Sequence, residues 1–591
     1  MDETLTRTSA GTLRKEHLGR RMRLEGWVQK QRDFGELVFV DLRDRSGIAQ
    51  VVFDLERGVP PEIVQKAKEV RSEFVIAVEG TVVERGAEAV NPRMATGEIE
   101  LLAASLTVLN RSETPPFLIE DDVAANEDLR LRHRYLDLRR APLTRNLMLR
   151  SDVTFRIRDY MHRNGFLDIE TPILTKSTPE GARDYLVPSR MSKGEFYALP
   201  QSPQLFKQLL MVSGLERYYQ IARCFRDEDL RADRQPEFTQ IDIEGSFIDE
   251  EFVFALVEGL FAEIFPVAGI AAPTPFPRMR WDEAMDRFGI DRPDTRFGLE
   301  LVDLAGPAGA TEFAPFRSAL GEGGLVRGIL VPGSASFSRK RLDDLTEEAK
   351  KFRASGLVWM KFEAAGATSS IRKFLADENV EAFRDALGAR EGDLALVVAG
   401  KKAVVWDALA NLRLRIAREE KMIPDDTWNF LWVTEFPLLE RDEDAGRWAA
   451  RHHPFTSPRL DQVDLLESDP GSVLARAYDV VLNGLELGGG SIRINSPEVQ
   501  SRMFRALGIQ EEEARERFGF LLDAFRYGAP PHGGIAIGLD RMVMVMARAP
   551  SLRDVIAFPK TASGQDLMTG APSAVDRAQL DDLGIALGAK K

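Results

Sequence analysis

The chain has 591 residues, 44% apolar and 29% charged, which excludes disorder as its main state and allows about three to five domains. Its one cysteine, Cys224, excludes a disulfide framework and a thiolate-rich zinc site, and its six histidines form no HExxH pair. The net charge of −14, taken alone, argues against nucleic acid as a partner.

Residues 1–105 read as short strands. Arg21 to Glu25, Leu37 to Arg43, Ile48 to Phe53 and Phe74 to Val83 are β-rich, with Val38, Val40 and Leu42 on one face. Turn signals at 33–35, 45–47 and 79–80 separate or bend them, and one helix is predicted over 60–71. Several short strands in about 100 residues predict a small closed barrel of the OB type. Residues 106–137 are polar, carry Pro115-Pro116, and read as a hinge or linker. From Leu138 the spacing of Leu147, Leu149, Val153, Ile157 and Met161 predicts a helix that stops near Gly165. It opens a domain part over 138–285.

Residues 286–420 read as an inserted α/β unit. Ser338 caps a helix marked by Leu342, Leu345, Ala349 and Phe352. A strand over 357–362, a helix over 371–387, a strand over 394–399 and a helix over 403–420 follow. Nothing in the insert looks catalytic. Residues 421–591 return to strands and glycine-rich turns and end in a loop with a short helix, so the whole reads as an α+β multidomain chain.

Chemistry concentrates in four stretches. The run from Cys224 to Asp242 interleaves arginines and carboxylates with Phe238, between strand-like segments. A generic charge run is a solvated loop, but this mixture on a hairpin suits a polyanion, metal ions and a flat base. Gly533 to Arg541 reads as a strand running into a helix with an arginine in its first turn, a phosphate-site pattern. Leu485 to Arg493 carries three glycines between Glu486 and Arg493. No Gly-Lys-Ser/Thr follows, so it suits close backbone approach to a ligand and not a Walker loop. Gly165 to Leu174 is a helix stop, a strand and a fixed proline. Met191 to Gly194 is similar to the lysine loop of class I synthetases, but no HIGH partner appears, so it reads as a surface turn.

Together these stretches resemble the three motifs of class II aminoacyl-tRNA synthetases, in order: Gly165–Leu174, Phe225–Glu244 and Gly533–Arg541. Three finer strings, Ser177 to Tyr185, Gln201 to Gln208 and His452 to Thr456, resemble the bacterial-type aspartyl-tRNA synthetases. The resemblance covers nearly the whole chain, with the barrel as anticodon-binding domain and the insert as a GAD-like domain.

The resemblance implies ATP and L-aspartate as substrates, Mg²⁺ as metal, tRNA(Asp) as partner and a homodimer through the first motif. Arg226 would hold the α-phosphate and aspartate carboxylate, and Arg541 the γ-phosphate, as the two catalytic arginines. Phe238 would stack on adenine, with Asp227, Glu228, Gln235, Glu486, Gly538, Leu539 and Asp540 completing the nucleotide site. Asp479 and Glu486 would ligate Mg²⁺. Arg493 would pair with the side-chain carboxylate and Lys207 would add a second cation, leaving an asparagine amide opposite two unpaired charges. Glu180, Ser202, Gln204 and Asp242 would read the α-ammonium and its surroundings, and His452 and His453 would close over the substrate. Cys224 reads as inert core. On the barrel, Phe39 would stack on an anticodon base, with Arg32, Arg43 and Gln50 as base or phosphate contacts. Phe34 stands where dual-specificity members carry histidine, which favours an enzyme that charges only tRNA(Asp). The alternative also charges tRNA(Asn).

A catalytically dead paralogue would have lost motif arginines, yet Arg226, Glu486, Arg493 and Arg541 are all present. The insert and the Arg493–Lys207 pair disfavour lysyl and asparaginyl relatives. The acidic total conceals basic strips. Residues 14–32 hold seven basic side chains against two acidic, and 128–163 hold ten arginines against four aspartates. RNA is expected on those strips. The start lacks a signal-peptide core and no long apolar run occurs, which predicts a cytoplasmic protein without a membrane span.

Overall fold

A computed structural model of the chain describes residues 5–177, 182–228, 234–442 and 446–588. Two compact units emerge, residues 1–151 with 230–235 and 549–574, and residues 152–229 with 236–548 and 575–591.

The first unit contains the predicted barrel. Its strands are Arg21–Asp33, Leu37–Asp44, Gly47–Asp54, Val75–Glu84 and Ile99–Asn110, with a short edge strand Arg7–Thr8. Arg21–Asp33 pairs with both Leu37–Asp44 and Val75–Glu84, which closes the sheet on itself. Alternation along Leu37–Asp44 buries Val38, Val40 and Leu42 completely and turns Leu37, Phe39 and Asp41 outward. The helix inside the barrel domain spans Pro61–Glu69.

The hinge differs from the expectation. The last barrel strand runs to Asn110, across the predicted boundary at 105, and two short helices, Glu127–Arg132 and Arg134–Asp137, occupy what reads as linker. Proline content flagged the connection, but Asn126 caps a helix there by accepting from Leu129 N–H at 2.9 Å. Two arginines of the basic strip over 128–163 are committed to structure. Asp137, fully buried, is held by Arg134 at 2.8 Å and Arg140 at 2.9 Å. Arg134 also donates to the Ala557 and Ile556 carbonyls at 2.9 Å. Arg132, Arg145, Arg158 and Arg163 of the same strip remain exposed.

The second unit is built on an eight-stranded sheet. In spatial order its strands are Arg278–Arg280, Phe430–Thr434, Ala477–Leu482, Leu485–Ile492, His532–Gly538, Glu237–Ser246, Arg217–Phe225 and Leu167–Asp168. The inner pairs are antiparallel and only the two end pairs are parallel. The insert forms its own antiparallel sheet of Val302–Asp303, Leu325–Val331, Leu394–Gly400, Val358–Glu363 and Gly366–Ser369. Helices Arg339–Lys351 and Lys402–Glu419 pack on one side of it through Leu342, Leu345, Leu409 and Leu412. The predicted helix over 371–387 is a 3-10 turn, Arg372–Phe374, followed by a separate helix, Asp377–Leu387. Leu375 and Ala376 are extended between them, and Asn379 accepts from Ala376 N–H at 2.9 Å to start the second.

Candidate active site

The antiparallel hairpin of Arg217–Phe225 and Glu237–Ser246, the helix Gln204–Val212 and the strand Leu485–Ile492 converge on a cleft of about 570 Å³. Side chains 249 residues apart meet at its floor. Arg493 donates through Nε to Glu244 Oε1 at 2.9 Å and through Nη2 to Oε2 at 3.0 Å. Its Nη1 lies 2.7 Å from both Ser491 Oγ and His453 Nε2. Lys207 Nζ sits 2.8 Å from Asp242 Oδ1 and 3.3 Å from Glu244 Oε2. All four charged side chains are sealed from water, so two cations and two anions form one buried network.

The electrostatics follow from that sealing. Burial opposes ionisation of Glu244, but Arg493 and Lys207 outweigh it and hold its carboxyl down to about 2. For Asp242, burial wins over Lys207 and pushes the carboxyl above its ordinary value. Asp242 Oδ2 is buried with no hydrogen-bond partner, an acceptor that calls for a donor such as an ammonium group. His452 and His453 line the cleft. Burial, then Arg451, lowers His452 to about 4, and burial, then Arg493, takes His453 well below the usual histidine range.

Beside this network Asp479 and Glu486 face the cleft from neighbouring strands, in register at Val481 and Glu486. Burial, then the Glu486 charge, raises the Asp479 carboxyl well above its ordinary value, with Arg451 opposing the shift. A Cβ on Gly489 would stand 2.4 Å from Asp479 Oδ1 and 3.7 Å from Glu486 Oε1, so this strand is glycine where the two carboxylates need room. Gly534 is required for a similar reason: a Cβ there would meet Glu244 Oε2 at 2.1 Å. The pair suits a hard divalent cation whose other ligands are phosphate oxygens and water. Among the described residues no cluster of three or more metal-ligating side chains occurs.

Arg226 lines the cleft with its guanidinium 5.1 Å above the Phe238 ring and its Nε buried without a hydrogen-bond partner. Arg541 donates to the Glu486 carbonyl at 2.6 Å, which places it beside the acidic pair. Ser202, Gln204 and Glu228 also line the cleft. Burial pushes the Cys224 thiol up to about 12, which leaves it inert.

Several expected residues do other work. Arg43 is 8% exposed and forks onto Glu73 at 2.7 and 2.9 Å, while Arg139 takes the same carboxylate at 2.7 Å; it is a buried structural cation and not an anticodon contact. Gln50 is also buried, donating to Glu100 at 2.9 Å and accepting from Arg32 at 3.1 Å, so its amide is not free for a base. Phe34, 68% exposed, meets the half-buried Phe39 edge-to-face at 6.1 Å, with the Arg32 guanidinium 5.6 Å above Phe39. Gln235 uses both ends of its amide on the Lys560 backbone, at 2.8 and 3.1 Å. Asp540 accepts from Thr239 N–H at 2.7 Å, tying the third motif to the second, and Leu539 is core. Asp227 pairs with Arg183 at 3.6 Å. Lys207 and Arg493 are not unpaired cations, because Asp242 and Glu244 neutralise them. Rejection of an amide then rests on donors meeting donors and not on bare charge. Glu180 lies outside the described residues.

Sequence reasoning missed Glu244, whose partner is far away in the chain, and Asp291, which lines the cleft and holds Arg451 at 2.8 Å. The carboxylate two residues beyond Asp242 on one strand shares its face, and that period-two signal could have found Glu244.

Comparison with known proteins agrees with this geometry. Residues 126–562 match the family profile of class II tRNA synthetases (D, K and N), and residues 22–109 match the OB-fold nucleic acid binding domain. Among curated relatives, the aspartate–tRNA(Asp/Asn) ligase of Halothermothrix orenii is 55% identical over 98% of both chains. The protein of the same name from Anoxybacillus flavithermus is 56% identical over 96% of both. Among solved structures, asparaginyl-tRNA synthetase from Pyrococcus horikoshii superposes with a TM-score of 0.58 at 17% identity, covering 94% of this chain and 99% of that one. Aspartyl tRNA synthetase from Entamoeba histolytica gives 0.58 at 19%, covering 94% and 91%. With its three motifs on one antiparallel sheet and an OB-fold barrel before them, the chain belongs to the class II tRNA synthetases (D, K and N).

Proposed function

We propose that this chain is an aspartate–tRNA ligase that activates L-aspartate with ATP and transfers it to tRNA(Asp). The observation that carries the reading is the buried Lys207–Asp242–Glu244–Arg493 network at the floor of the cleft. Arg493 and Lys207 present N–H donors held in place by carboxylates, and a side-chain carboxylate accepts from both. An asparagine amide would point its own N–H groups at them, a mismatch of several kcal/mol by the usual cost of unpaired buried donors. Asp242 Oδ2 and Gln204 take the α-ammonium.

Activation is attack by the α-carboxylate oxygen of aspartate on the α-phosphorus of ATP, breaking the bond to pyrophosphate. Arg226 lies between the two anions, binds both, and stabilises the charge that builds at phosphorus. Phe238 carries the adenine face and Arg541 holds the γ-phosphate. Asp479 and Glu486 would hold Mg²⁺, which would supply positive charge to the phosphates. A terminal ribose hydroxyl of the tRNA then attacks the adenylate carbonyl and AMP leaves. His452 and His453, kept neutral, cover the substrate without adding a third cation to the floor.

The barrel binds the anticodon through Phe34, Phe39 and Arg32. Relatives at 55–56% identity carry Asp/Asn in their names, which favours charging of tRNA(Asn) as the second reading. The chain works as a homodimer through the first motif, where Leu167 on the edge strand and Ile173 and Leu174 beyond it expose apolar surface. Among the described residues no helix is long and apolar enough to cross a membrane, in keeping with a cytoplasmic enzyme. Aminoacylation of transcripts of tRNA(Asp) and tRNA(Asn) tests the reading. Charging of the first is expected, charging of the second decides specificity, and charging of neither overturns the function.

A further inference from the structure

We propose that Gln208 and His532 are positioning residues that fix the Gln204 amide, so that its Oε1 faces the cleft as a preset acceptor for a primary α-ammonium group. The proposal rests on the reading of Gln204 as an ammonium ligand.

The argument is one of hydrogen-bond direction. His532 Nδ1 lies 2.8 Å from the Pro530 carbonyl, which can only accept, so Nδ1 carries the proton. A neutral imidazole has one N–H, so His532 Nε2 is a lone pair. Gln208 Nε2, 3.1 Å away, therefore donates to it. The Gln208 Oε1 is thereby turned the other way, and Gln204 Nε2 donates to it at 3.2 Å. The remaining Gln204 oxygen is left for the cleft that the residue lines. A flipped Gln204 would set oxygen against oxygen.

Burial makes this ordering stable. Gln208 and His532 are 0% exposed and Gln204 is 6% exposed, so no solvent competes for these groups. His532 stays neutral because burial, joined by Arg493 and Lys207, lowers its proton affinity against the opposing pull of Glu244 and the Pro530 carbonyl. The geometry arises from two places in the sequence. Gln204 and Gln208 are four apart on the helix Gln204–Val212 and share one face. His532 opens the strand that leads to Arg541. The relay thus ties the ammonium ligand to the strand of the third motif. Neither Gln208 nor His532 needs to touch substrate.

The test compares wild type with Gln208→Met and His532→Leu in aspartate-dependent pyrophosphate exchange, with succinate as competitor. Succinate has both carboxylates of aspartate and lacks the ammonium. Gln208→Met keeps volume and loses both directed bonds. It should raise the KM for aspartate about 10- to 100-fold, the ratio carried by one hydrogen bond to a charged group, with succinate Ki and ATP KM changed by less than about threefold. His532→Leu, which removes the acceptor for Gln208, should reproduce the Met pattern and serves if Gln208→Met folds poorly. Equal losses for aspartate and succinate, or an unchanged aspartate KM, would overturn the relay. A wild type without aspartate-dependent exchange would instead overturn the functional reading on which the relay rests.

Discussion

Glu244 and Arg493, on different strands of the catalytic sheet, meet through two parallel hydrogen bonds of 2.9 and 3.0 Å with both side chains closed to water. The fork holds the guanidinium in one orientation, and the proposed selectivity for aspartate rests on that orientation. Arg493→Leu should lower aspartate-dependent exchange roughly a thousandfold while leaving ATP binding within a few-fold, as expected for loss of a buried charge partner. Undiminished aspartate turnover would refute the role. Glu244→Ala leaves Arg493 without its fork and should lower stability by about 3–5 kcal/mol, read as a shift in denaturant midpoint.

The acidic pair makes a proton-coupled prediction. Asp479 is raised by burial and then by Glu486, so bringing Mg²⁺–ATP to it should release protons. Calorimetry in two buffers of different ionisation enthalpy measures that release, and Asp479→Asn should remove it. Gly489→Ala places a Cβ 2.4 Å from Asp479 Oδ1 and should impair exchange while the thermal midpoint stays close to wild type. A fully active Gly489→Ala would show that the pair needs no clearance.

Stability should fall as the protein is acidified from neutrality. His452 drops from 6.5 to about 4 in the folded state, so the unfolded chain binds its proton first. Its contribution is complete above pH 6.5 and is lost between there and about 4, at a slope of at most about 1.4 kcal/mol per pH unit. Glu244 acts later: its depressed carboxyl keeps its contribution above the ordinary carboxyl range and loses it only as pH falls toward about 2. Melting temperatures of wild type and His452→Asn between pH 7 and 4 check this ordering. Parallel curves would contradict it.

On the barrel, Phe39→Ala should weaken tRNA binding by about 1–3 kcal/mol, the worth of one stacked base, with pyrophosphate exchange unchanged. Arg43→Ala should behave differently and destabilise the barrel, because Glu73 then keeps only Arg139. Charging kinetics against melting temperature separates the two. An Arg43→Ala variant of full stability and impaired tRNA binding would restore Arg43 to the anticodon surface.

Local pattern carried the elements well, and long-range pairing carried what it missed. Alternation around Val38, Val40 and Leu42 marked the barrel core because a strand in a closed sheet has one buried face. Arg43 continues that strand as an apparent surface arginine, and only Glu73, thirty residues on, reveals it as buried. The motif residues Arg226, Lys207, Arg493, Asp479 and Glu486 converge as expected. The roles of Gln235 and Asp540 did not follow, since their partners Lys560 and Thr239 lie in other elements. The helix over 371–387 failed at Leu375–Ala376, where a side-chain cap overrode a continuous apolar period.

The central claim is tested most directly by pyrophosphate exchange with the purified protein, offering L-aspartate and L-asparagine in parallel. Exchange with aspartate, at least about a hundredfold above asparagine and lost in Arg493→Leu, is the predicted result. No exchange with aspartate, or equal exchange with asparagine, would contradict it.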